Sequence, residues 1–357
     1  YVDDTILLGP NEKELADIIT LLQTKFNVES EGDLGDYLGI RLRKYKDGDQ
    51  TVLELTQPQL IKSILEDLNL VSKDGDKHAI KSHQVAALST KLITPDLKGP
   101  KFDNRFNYRR VIGKLLYLEK SSRPELAYAV HQCARFCNDP RQSHGEAVKR
   151  IGRYLAGTAD KGMLLRPNDS TLHCWTHGSL PKPADALFDC WVDASHAAEW
   201  NRASATDDAA TAKSRMGWVI TFAGCPMLWA SKMQTEIALS STEAEYIALS
   251  QSMREVLPVM ALMKEAQARK LPVNAVSPTV HCRLFEDNSG AIEIAKVPKM
   301  RPRTKHLNIK YHHFRSFVQD GSVSVHHVGT ADQIADIFTK PLNLELFQKH
   351  RKALLGW

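Results

Sequence analysis

The order of strand-like and helix-like segments in the second half of the sequence constrains the fold more than any other feature. Strand patterns cover residues 187–193, 216–222, 227–231, 280–285 and 323–328. Helical patterns cover residues 242–267, 287–295, 304–319 and 331–339. Three strands, a helix, a fourth strand, further helices, a last strand and a final helix predict a mixed five-stranded α/β sheet with flanking helices.

The first half of the sequence has a different pattern. Residues 37–45 and 51–55 have strand patterns and flank Lys46-Asp47-Gly48-Asp49, which predicts a β-hairpin. Residues 108–155 are helical in pattern, with breaks at Pro124 and Pro140. This half is therefore expected to be a hairpin followed by a helical unit.

The composition limits the classes of protein that the chain can be. At 357 residues the chain is too long for one ordinary domain, so two or three are expected. No run of about 18 apolar residues is present, so the sequence predicts no membrane span. The six cysteines form no C-x-x-C pair, which favours a reducing, intracellular setting. The net charge of +5 permits a polyanionic partner without indicating one.

Four acidic residues lie where predicted elements begin or end, namely Asp193, Glu245, Asp287 and Asp336. Mg²⁺ prefers oxygen ligands, and two such ions about 3.5–4 Å apart can stabilise the attacking and leaving oxygens of a phosphoryl displacement. Carboxylates clustered without a metal would raise one another's pKa. Together the four acids predict a site for two Mg²⁺ ions, with Mn²⁺ as an alternative ion.

Each of these acids also has a structural interpretation. Asp189 lies on the same strand face as the first acid and is its rival for the role. Glu245 could stabilise the start of its helix, and Asp287 could be a helix N-cap. Asp332, one turn before Asp336, is explained by the helix dipole, which leaves Asp336 as the better candidate ligand.

Several long motifs are typical of one family. In the first half they are Tyr1-Val2-Asp3-Asp4, Tyr37-Leu38-Gly39-Ile40, Tyr108-Arg109-Arg110-Val111-Ile112-Gly113-Lys114-Leu115, Ser122-Arg123-Pro124-Glu125-Leu126-Ala127-Tyr128 and Arg153-Tyr154-Leu155-Ala156-Gly157-Thr158. In the second half they are Ser241-Thr242-Glu243-Ala244-Glu245-Tyr246, Glu286-Asp287-Asn288, Thr304-Lys305-His306-Leu307 and Ala335-Asp336-Ile337-Phe338-Thr339-Lys340-Pro341. With these motifs the chain resembles the Pol polyprotein of copia-type LTR retrotransposons. Residues 185–357 resemble its ribonuclease H domain, and residues 1–165 resemble the end of its reverse transcriptase.

The resemblance implies an arrangement of domains. Residues 1–56 would be a reverse transcriptase palm remnant, residues 57–170 a helical thumb or connection, residues 171–182 a linker, and residues 183–357 a ribonuclease H domain. The expected fold class is therefore α/β, with a ribonuclease H-like mixed five-stranded sheet and flanking helices preceded by the palm remnant and the thumb. Because the sequence starts inside a motif, we expect it to be a piece of a longer polypeptide.

The resemblance also implies an activity. The family's nuclease has four acids, matched here in order by Asp193, Glu245, Asp287 and Asp336. The implied reaction is endonucleolytic hydrolysis of the RNA strand of an RNA–DNA hybrid, with strand choice set by 2′-hydroxyl contacts and duplex shape. Asp3 and Asp4 match the polymerase turn, but its third aspartate is not in this chain, so the polymerase site is expected to be incomplete.

Glu243 competes with Glu245 for the helix position in this set of acids. Two residues apart, the two side chains point about 200° apart around a helix, so only one can face the metals. If Ser240 is the N-cap, Glu243 completes a capping box and Glu245 is free to bind the metals. If Thr242 is the N-cap, Glu245 itself is the capping-box partner and its assignment as a metal ligand weakens. The resemblance and the following Tyr246-Ile247-Ala248 favour the first arrangement.

Two further groups of residues are candidates because of the resemblance. His326 and His327 precede the final helix, where related nucleases hold a histidine that assists proton transfer or product release. His327 alternates with the core valines and His326 lies on the opposite face, and both stay candidates.

A basic stripe suits contacts with duplex phosphates, although a solvated helix face is the alternative. The stripe consists of Arg301, Arg303, Lys305, Lys310 and Arg315.

Other interpretations belong to different classes of protein. An integrase or resolvase also uses clustered acids, but the order with the glutamate second argues against it. The remaining alternatives are a catalytically silent, connection-like module that binds duplex, and a degenerate element copy.

Expected partners are an RNA–DNA hybrid and the upstream remainder of Pol, with its polymerase fingers and palm and its integrase, and no membrane. The implied setting is a cytoplasmic virus-like particle with a nuclear phase. Residues 203–213 predict an exposed insertion.

Overall fold

The computed structural model describes most of the chain. The residues it leaves undescribed are 1–4, 8, 10, 33, 72–80, 88–92, 168–187, 201, 203–205, 207, 270, 272–279 and 297–312. The described helices are α1 (Glu12–Lys25), α2 (Pro58–Asp67), α3 (Tyr108–Ser121), α4 (Ala127–Ala134), α5 (Gln142–Ala156), α6 (Ser241–Ala268), α7 (Ser289–Lys296), α8 (Arg315–Gln319), α9 (Asp336–Thr339) and α10 (Leu344–Leu355). The described strands are β1 (Asp36–Tyr37), β2 (Ile40–Asp47), β3 (Gln50–Thr56), β4 (Met163–Leu165), β5 (Phe188–Ser195), β6 (Arg215–Phe222), β7 (Cys225–Met233), β8 (Cys282–Glu286) and β9 (Val323–His327).

The predicted hairpin is present as β2 and β3. Asp47 pairs with Gln50, so the turn consists of Gly48 and Asp49. Gly48 has φ +60°, a left-handed conformation that favours glycine. β1 and β4 extend the hairpin into an antiparallel sheet of order β1-β2-β3-β4. Since β4 follows α5 in the chain, this sheet joins the two ends of the first half.

The helical unit follows from clear start and stop signals. Asn107 caps α3 by accepting a hydrogen bond from the Arg110 N–H at 3.0 Å. The predicted break at Pro124 is a 3-10 turn between α3 and α4, and the break at Pro140 precedes α5. The turn is fixed by a fully buried ion pair in which Arg123 Nε lies 2.7 Å from Glu125 Oε1. The helices are therefore joined by short, well-anchored connections.

The second half forms the predicted mixed five-stranded sheet, in the order β7-β6-β5-β8-β9. β5 pairs antiparallel with β6, and β6 pairs antiparallel with β7. On its other side β5 pairs parallel with β8, which pairs parallel with β9. The predicted α/β class with flanking helices is confirmed. Within the described residues, no helix is long and apolar enough to cross a membrane.

Both faces of this sheet are covered. One core cluster joins α6 and α7 to one face through residues such as Val192, Leu249 and Leu284. On the other face, Trp191 and Phe285 belong to a core cluster shared with α9, α10 and the helical unit. The two halves are therefore packed together around the sheet, with Trp229 donating a hydrogen bond to the Glu119 carbonyl at 2.9 Å.

Three predicted elements differ from the observed ones. The predicted helix over 331–339 is a 3-10 turn at Thr330–Asp332 followed by α9. Gln333 interrupts it, because its backbone is extended and its amide donates to the Val192 carbonyl at 2.7 Å. The helix predicted to open at Asp287 begins at Ser289 instead, and of the helix predicted over 304–319 only α8 lies within the described residues.

Candidate metal centre

Asp193 lies near the end of β5, buried against α9. Its Oδ2 accepts a hydrogen bond from the Thr339 hydroxyl. The approach of α9 depends on Gly217, which pairs with Asp193 across β5 and β6. A Cβ at Gly217 would lie 2.5 Å from Phe338 Cβ, so a side chain there would displace α9. The strand acid is therefore held where the sheet permits close contact with the last acidic segment.

The start of α6 decides which glutamate faces Asp193. Ser240 is the N-cap and accepts a hydrogen bond from the Glu243 N–H at 3.1 Å. The Glu243 carboxylate accepts from the Leu239 N–H at 2.8 Å, one residue before the position of a standard capping box. Glu245 is buried, and its Oε2 has no hydrogen-bond partner among the described residues. Glu243 thus stabilises the helix start while Glu245 points to the other acids.

Asp287 follows β8 and is not the N-cap of α7, which was its structural interpretation in the sequence. The cap of α7 is the neighbouring Asn288, whose side chain accepts from the Ala291 N–H at 3.0 Å. Asp287 instead accepts a hydrogen bond from the Thr330 hydroxyl at 2.9 Å and is half-buried. Its carboxylate is therefore available to the site.

Asp193, Glu245 and Asp287, hereafter the acid triad, converge in one place. One carboxylate oxygen of each lies within 4.8 Å of the others. Oxygens on opposite sides of one Mg²⁺ are about 4.2 Å apart, because each Mg–O distance is about 2.1 Å. Small side-chain movements would therefore bring all three onto one ion.

Asp336 lies beside the triad on the α9 side. It is buried, and the Lys340 ammonium lies 2.8 Å from its Oδ1 and 3.9 Å from Asp193 Oδ2. Its rival Asp332 is partly exposed and forms an ion pair with Lys349 at 2.6 Å. Among these two acids, the structure brings Asp336 to the site.

Glu286 is an acid that the sequence did not single out. It ends β8, is 0% exposed, and accepts a hydrogen bond from the Asn288 N–H at 3.0 Å. Its second oxygen is buried without a hydrogen-bond partner among the described residues. A buried, half-satisfied carboxyl group next to the triad is costly to ionise, and burial raises its pKa well above the ordinary value.

Burial and the charges of neighbouring carboxylates raise the pKa values of Asp193, Glu245, Glu286 and Asp336. Burial is the largest cause for Glu245, followed by the charges of Glu286 and Asp193, and its pKa lies well above the ordinary value. Burial and then Asp193 raise the pKa of Asp336 to about 8. Burial also raises the pKa of Asp193, although Lys340 opposes this. Burial alone would lower the pKa of Lys340, but the charges of Asp193 and Asp336 raise it.

Relatives among known proteins resemble the chain over nearly its whole length. The retrovirus-related Pol polyprotein from transposon RE2 of Arabidopsis thaliana is 31% identical over 355 residues, which are 99% of this chain and 21% of the relative. The corresponding protein from transposon RE1 of the same plant is 32% identical over 349 residues, covering 98% and 21%. That from transposon TNT 1-94 of Nicotiana tabacum is 28% identical over 348 residues, covering 98% and 23%. No protein-family model and no solved structure matches the chain.

Over nearly its whole length the chain matches one segment of the Pol polyproteins of copia-type retrotransposons. The resemblance found in the sequence is thereby confirmed. The chain spans about a fifth of the length of these Pol relatives.

The two candidate histidines of this Pol segment have different surroundings. His326 is half-buried; its Nε2 lies 2.7 Å from Ser324 Oγ, and its ring lies 5.6 Å from that of Phe285. Burial lowers the pKa of His326, and the charges of Arg283 and Lys296 lower it further. His327 is exposed at the end of β9, where it pairs in register with Glu286. Of the two, His327 is the more exposed to solvent.

Some expected features of the Pol segment lie outside the described residues. These are Tyr1 to Asp4, with the polymerase acids Asp3 and Asp4, and the stripe residues Arg301, Arg303, Lys305 and Lys310. Arg315 is described and begins α8. The 203–213 insertion was predicted to be exposed, and among its described residues Thr206, Ala209 and Ala210 are exposed. Asp208, however, forms an ion pair with Arg135, the residue after α4, and Thr211 is buried.

Proposed function

We propose that this Pol segment hydrolyses the RNA strand of RNA–DNA hybrids through a two-metal site. The proposal rests on one observation: three buried or half-buried carboxylates converge within 4.8 Å, with Asp336 and Glu286 beside them. Such a concentration of negative charge is costly unless cations balance it. It is also the donor set that Mg²⁺ and Mn²⁺ prefer.

The residues present fit two divalent ions. Asp193, Glu245 and Asp287 would hold one ion, and the unpartnered Oε2 of Glu245 supplies a free oxygen for it. Asp336 with Asp193 would hold the second. When bound, such ions activate a water for attack on phosphorus and stabilise the departing 3′ oxygen.

The protein's own groups position and shield these ligands. Thr339 and Gln333 fix Asp193 and β5 from the α9 side, whereas Thr330 orients Asp287. Asp287 is the half-buried member of the triad, so substrate would enter from its side. His327, exposed after β9, is the histidine we assign to proton transfer or product release.

The rest of the segment takes its roles from the Pol relatives. Residues 183–357 would be a ribonuclease H-like domain, residues 1–56 a palm remnant, residues 57–170 a thumb or connection, and residues 171–182 the linker. The partners would be an RNA–DNA hybrid and the upstream part of the polyprotein, with Arg315 and the other stripe residues on the duplex phosphates. The virus-like particle setting stays a prediction.

Cleavage of a hybrid labelled on the RNA strand tests this function. The 357-residue chain should cut the RNA in Mg²⁺, leave the DNA strand and double-stranded DNA intact, and lose all cutting in EDTA. Asp336→Asn should lose most of the activity. Asp332→Asn is the matched control, one turn away and paired with Lys349, and should keep it. Hybrid binding without cleavage in either Mg²⁺ or Mn²⁺ would contradict the proposal and favour a silent duplex-binding module.

A further inference from the structure

The acid cluster is divided into two parts by one cation. The triad carboxylate of Glu245 is surrounded by the charges of Glu286, Asp193 and Asp287. Asp336, in contrast, has the Lys340 ammonium 2.8 Å from its Oδ1, and the same ammonium lies 3.9 Å from Asp193 Oδ2. One side of the cluster is therefore open to a cation, and the other side already contains one.

The ammonium lies next to the two carboxylates between which a second metal ion would bind. An ion bridging Asp193 and Asp336 would lie about 2.1 Å from an oxygen of each, in the space between the two carboxylates. Lys340 Nζ is within 4 Å of both, as the two distances show. The ammonium and a metal ion cannot both occupy that space, and their charges repel each other.

The Lys340 side chain can also move away from the two carboxylates. It follows α9 with an extended backbone, and its side chain is 36% exposed although the two carboxylates are each only 4% exposed. Its flexible four-carbon stem can carry the ammonium towards solvent. The carboxylates, in contrast, are fixed by β5 and α9.

We propose that Lys340 is a built-in counter-ion that competes with the second metal ion for Asp193 and Asp336. Without substrate, the chain then binds one divalent ion tightly at the triad and a second ion only weakly. Phosphate oxygens of a bound hybrid would add ligands for the second ion and displace Lys340, because Mg²⁺ sites are commonly completed by substrate phosphates. This inference rests on the proposed two-metal function and adds a regulation of its second site.

Mn²⁺ titration of the 357-residue chain without nucleic acid tests the competition. Bound Mn²⁺ is counted by calorimetry and by electron paramagnetic resonance. The unaltered chain should bind one ion tightly and a second at least about tenfold more weakly. Lys340→Met removes the charge and should strengthen the second site by about tenfold or more. Lys340→Arg should weaken it further, because a guanidinium binds carboxylates through two N–H groups.

Lys349→Met is the matched control. Lys349 is also 36% exposed and also pairs with an aspartate, Asp332, at 2.6 Å, but away from the triad. It should leave both Mn²⁺ affinities unchanged. Unchanged second-site binding in Lys340→Met overturns the inference; if that variant does not fold, unchanged binding in Lys340→Arg overturns it. Failure of the proposed function gives a different result, namely no tight Mn²⁺ site, or a tight site that Glu245→Gln does not affect.

Discussion

Two aspartates on β5, Asp189 and Asp193, lie four residues apart on the same face of one strand, and both are buried. Asp189 forms a two-point ion pair with Arg283, with Nε and Nη2 each 2.6 Å from a carboxylate oxygen. Asp193 lies instead among Glu245, Asp287 and Asp336. A single strand thus carries one acid that is paired with a buried arginine and one that lies among other carboxylates, with the partly exposed Lys340 ammonium 3.9 Å away.

The difference separates an acid that is paired within the fold from the acids that we propose to bind metal ions. Elsewhere in the chain the buried Glu125 is likewise paired with a buried arginine, because Arg123 Nε lies 2.7 Å from its Oε1. Burying a charge without a partner costs several kcal/mol, so a fold with no use for the triad would be expected to replace it. The excess of carboxylates at one end of β5 is therefore best explained by cations that the site binds.

The largest expected effect comes from removing a triad carboxylate. Asp193→Asn or Glu245→Gln should lower hybrid cleavage by orders of magnitude, because a ligand of the metal site is lost. The free energy of unfolding should stay equal or rise, since like-charge repulsion is relieved. Steady-state cleavage and urea unfolding of the same preparations measure both quantities. Full cleavage by the Asp193→Asn protein with an unchanged Mg²⁺ requirement would remove this assignment.

Asp189→Asn should have the opposite effect to the triad variants, namely lower stability with cleavage kept. It leaves Arg283 buried without its carboxylate, which costs about 3–5 kcal/mol of stability. Cleavage per folded molecule should be kept. The double variant Asp189→Leu with Arg283→Met is the control, because replacing both partners by apolar groups should restore most of the loss. If Asp189→Asn lost cleavage at unchanged stability, the two aspartates would have been assigned the wrong way round.

The sequence predicted the acids of the site better than their surroundings. Asp193 and Asp287 were predictable because strand periodicity ends at them. Glu286 was not, because it continues the alternation of β8 and is buried only by the pairing of that strand between β5 and β9. Gly217 gave a signal that was missed, since a glycine within a strand indicates a close backbone approach.

Long-range contacts account for the other differences. The pairing of β4 with β3 joins segments more than a hundred residues apart, and local pattern carries no information on it. The break before α9 depends on Gln333 reaching the carbonyl of Val192. Lys340 lies in a recognised motif, but its contact with Asp193 requires α9 to dock on the sheet.

A smaller effect concerns the dependence of stability on pH. Burial and the charge of Asp193 raise the pKa of Asp336 to about 8, so the folded state without metal should hold this proton up to about that pH, whereas an unfolded chain releases it near about pH 4. Between these values the unfolded state binds fewer protons, so the free energy of unfolding should fall as pH rises, and level off above about pH 8. We expect a slope of about 1 kcal/mol per pH unit from about pH 6 to about pH 8.

Urea unfolding at several pH values measures this slope. Asp336→Asn should remove the contribution, so the difference between the two proteins isolates it from the histidines. Excess Mg²⁺ should also flatten the slope, because a bound cation favours the ionised carboxylates. A stability that is equally pH-dependent in both proteins would show that Asp336 is not held protonated.

The smallest effect is expected at Glu243, two residues from a triad acid. Glu243→Gln weakens the contact with the Leu239 N–H and should cost at most about 1 kcal/mol, as for a helix cap. Its cleavage activity should be largely kept. A thermal melt and a cleavage assay run side by side with Glu245→Gln give the comparison. Loss of cleavage in Glu243→Gln with activity retained in Glu245→Gln would reverse the two assignments.

The central claim is that the unbalanced carboxylates beside Asp193 form a metal site, and anomalous diffraction from crystals soaked in Mn²⁺ tests it most directly. The account predicts a strong anomalous peak within bonding distance of Asp193, Glu245 and Asp287, and no peak beside Asp189. A second peak between Asp193 and Asp336 should be weaker unless Lys340 has moved away. Absence of a peak at the triad in crystals that bind Mn²⁺ elsewhere would contradict the account.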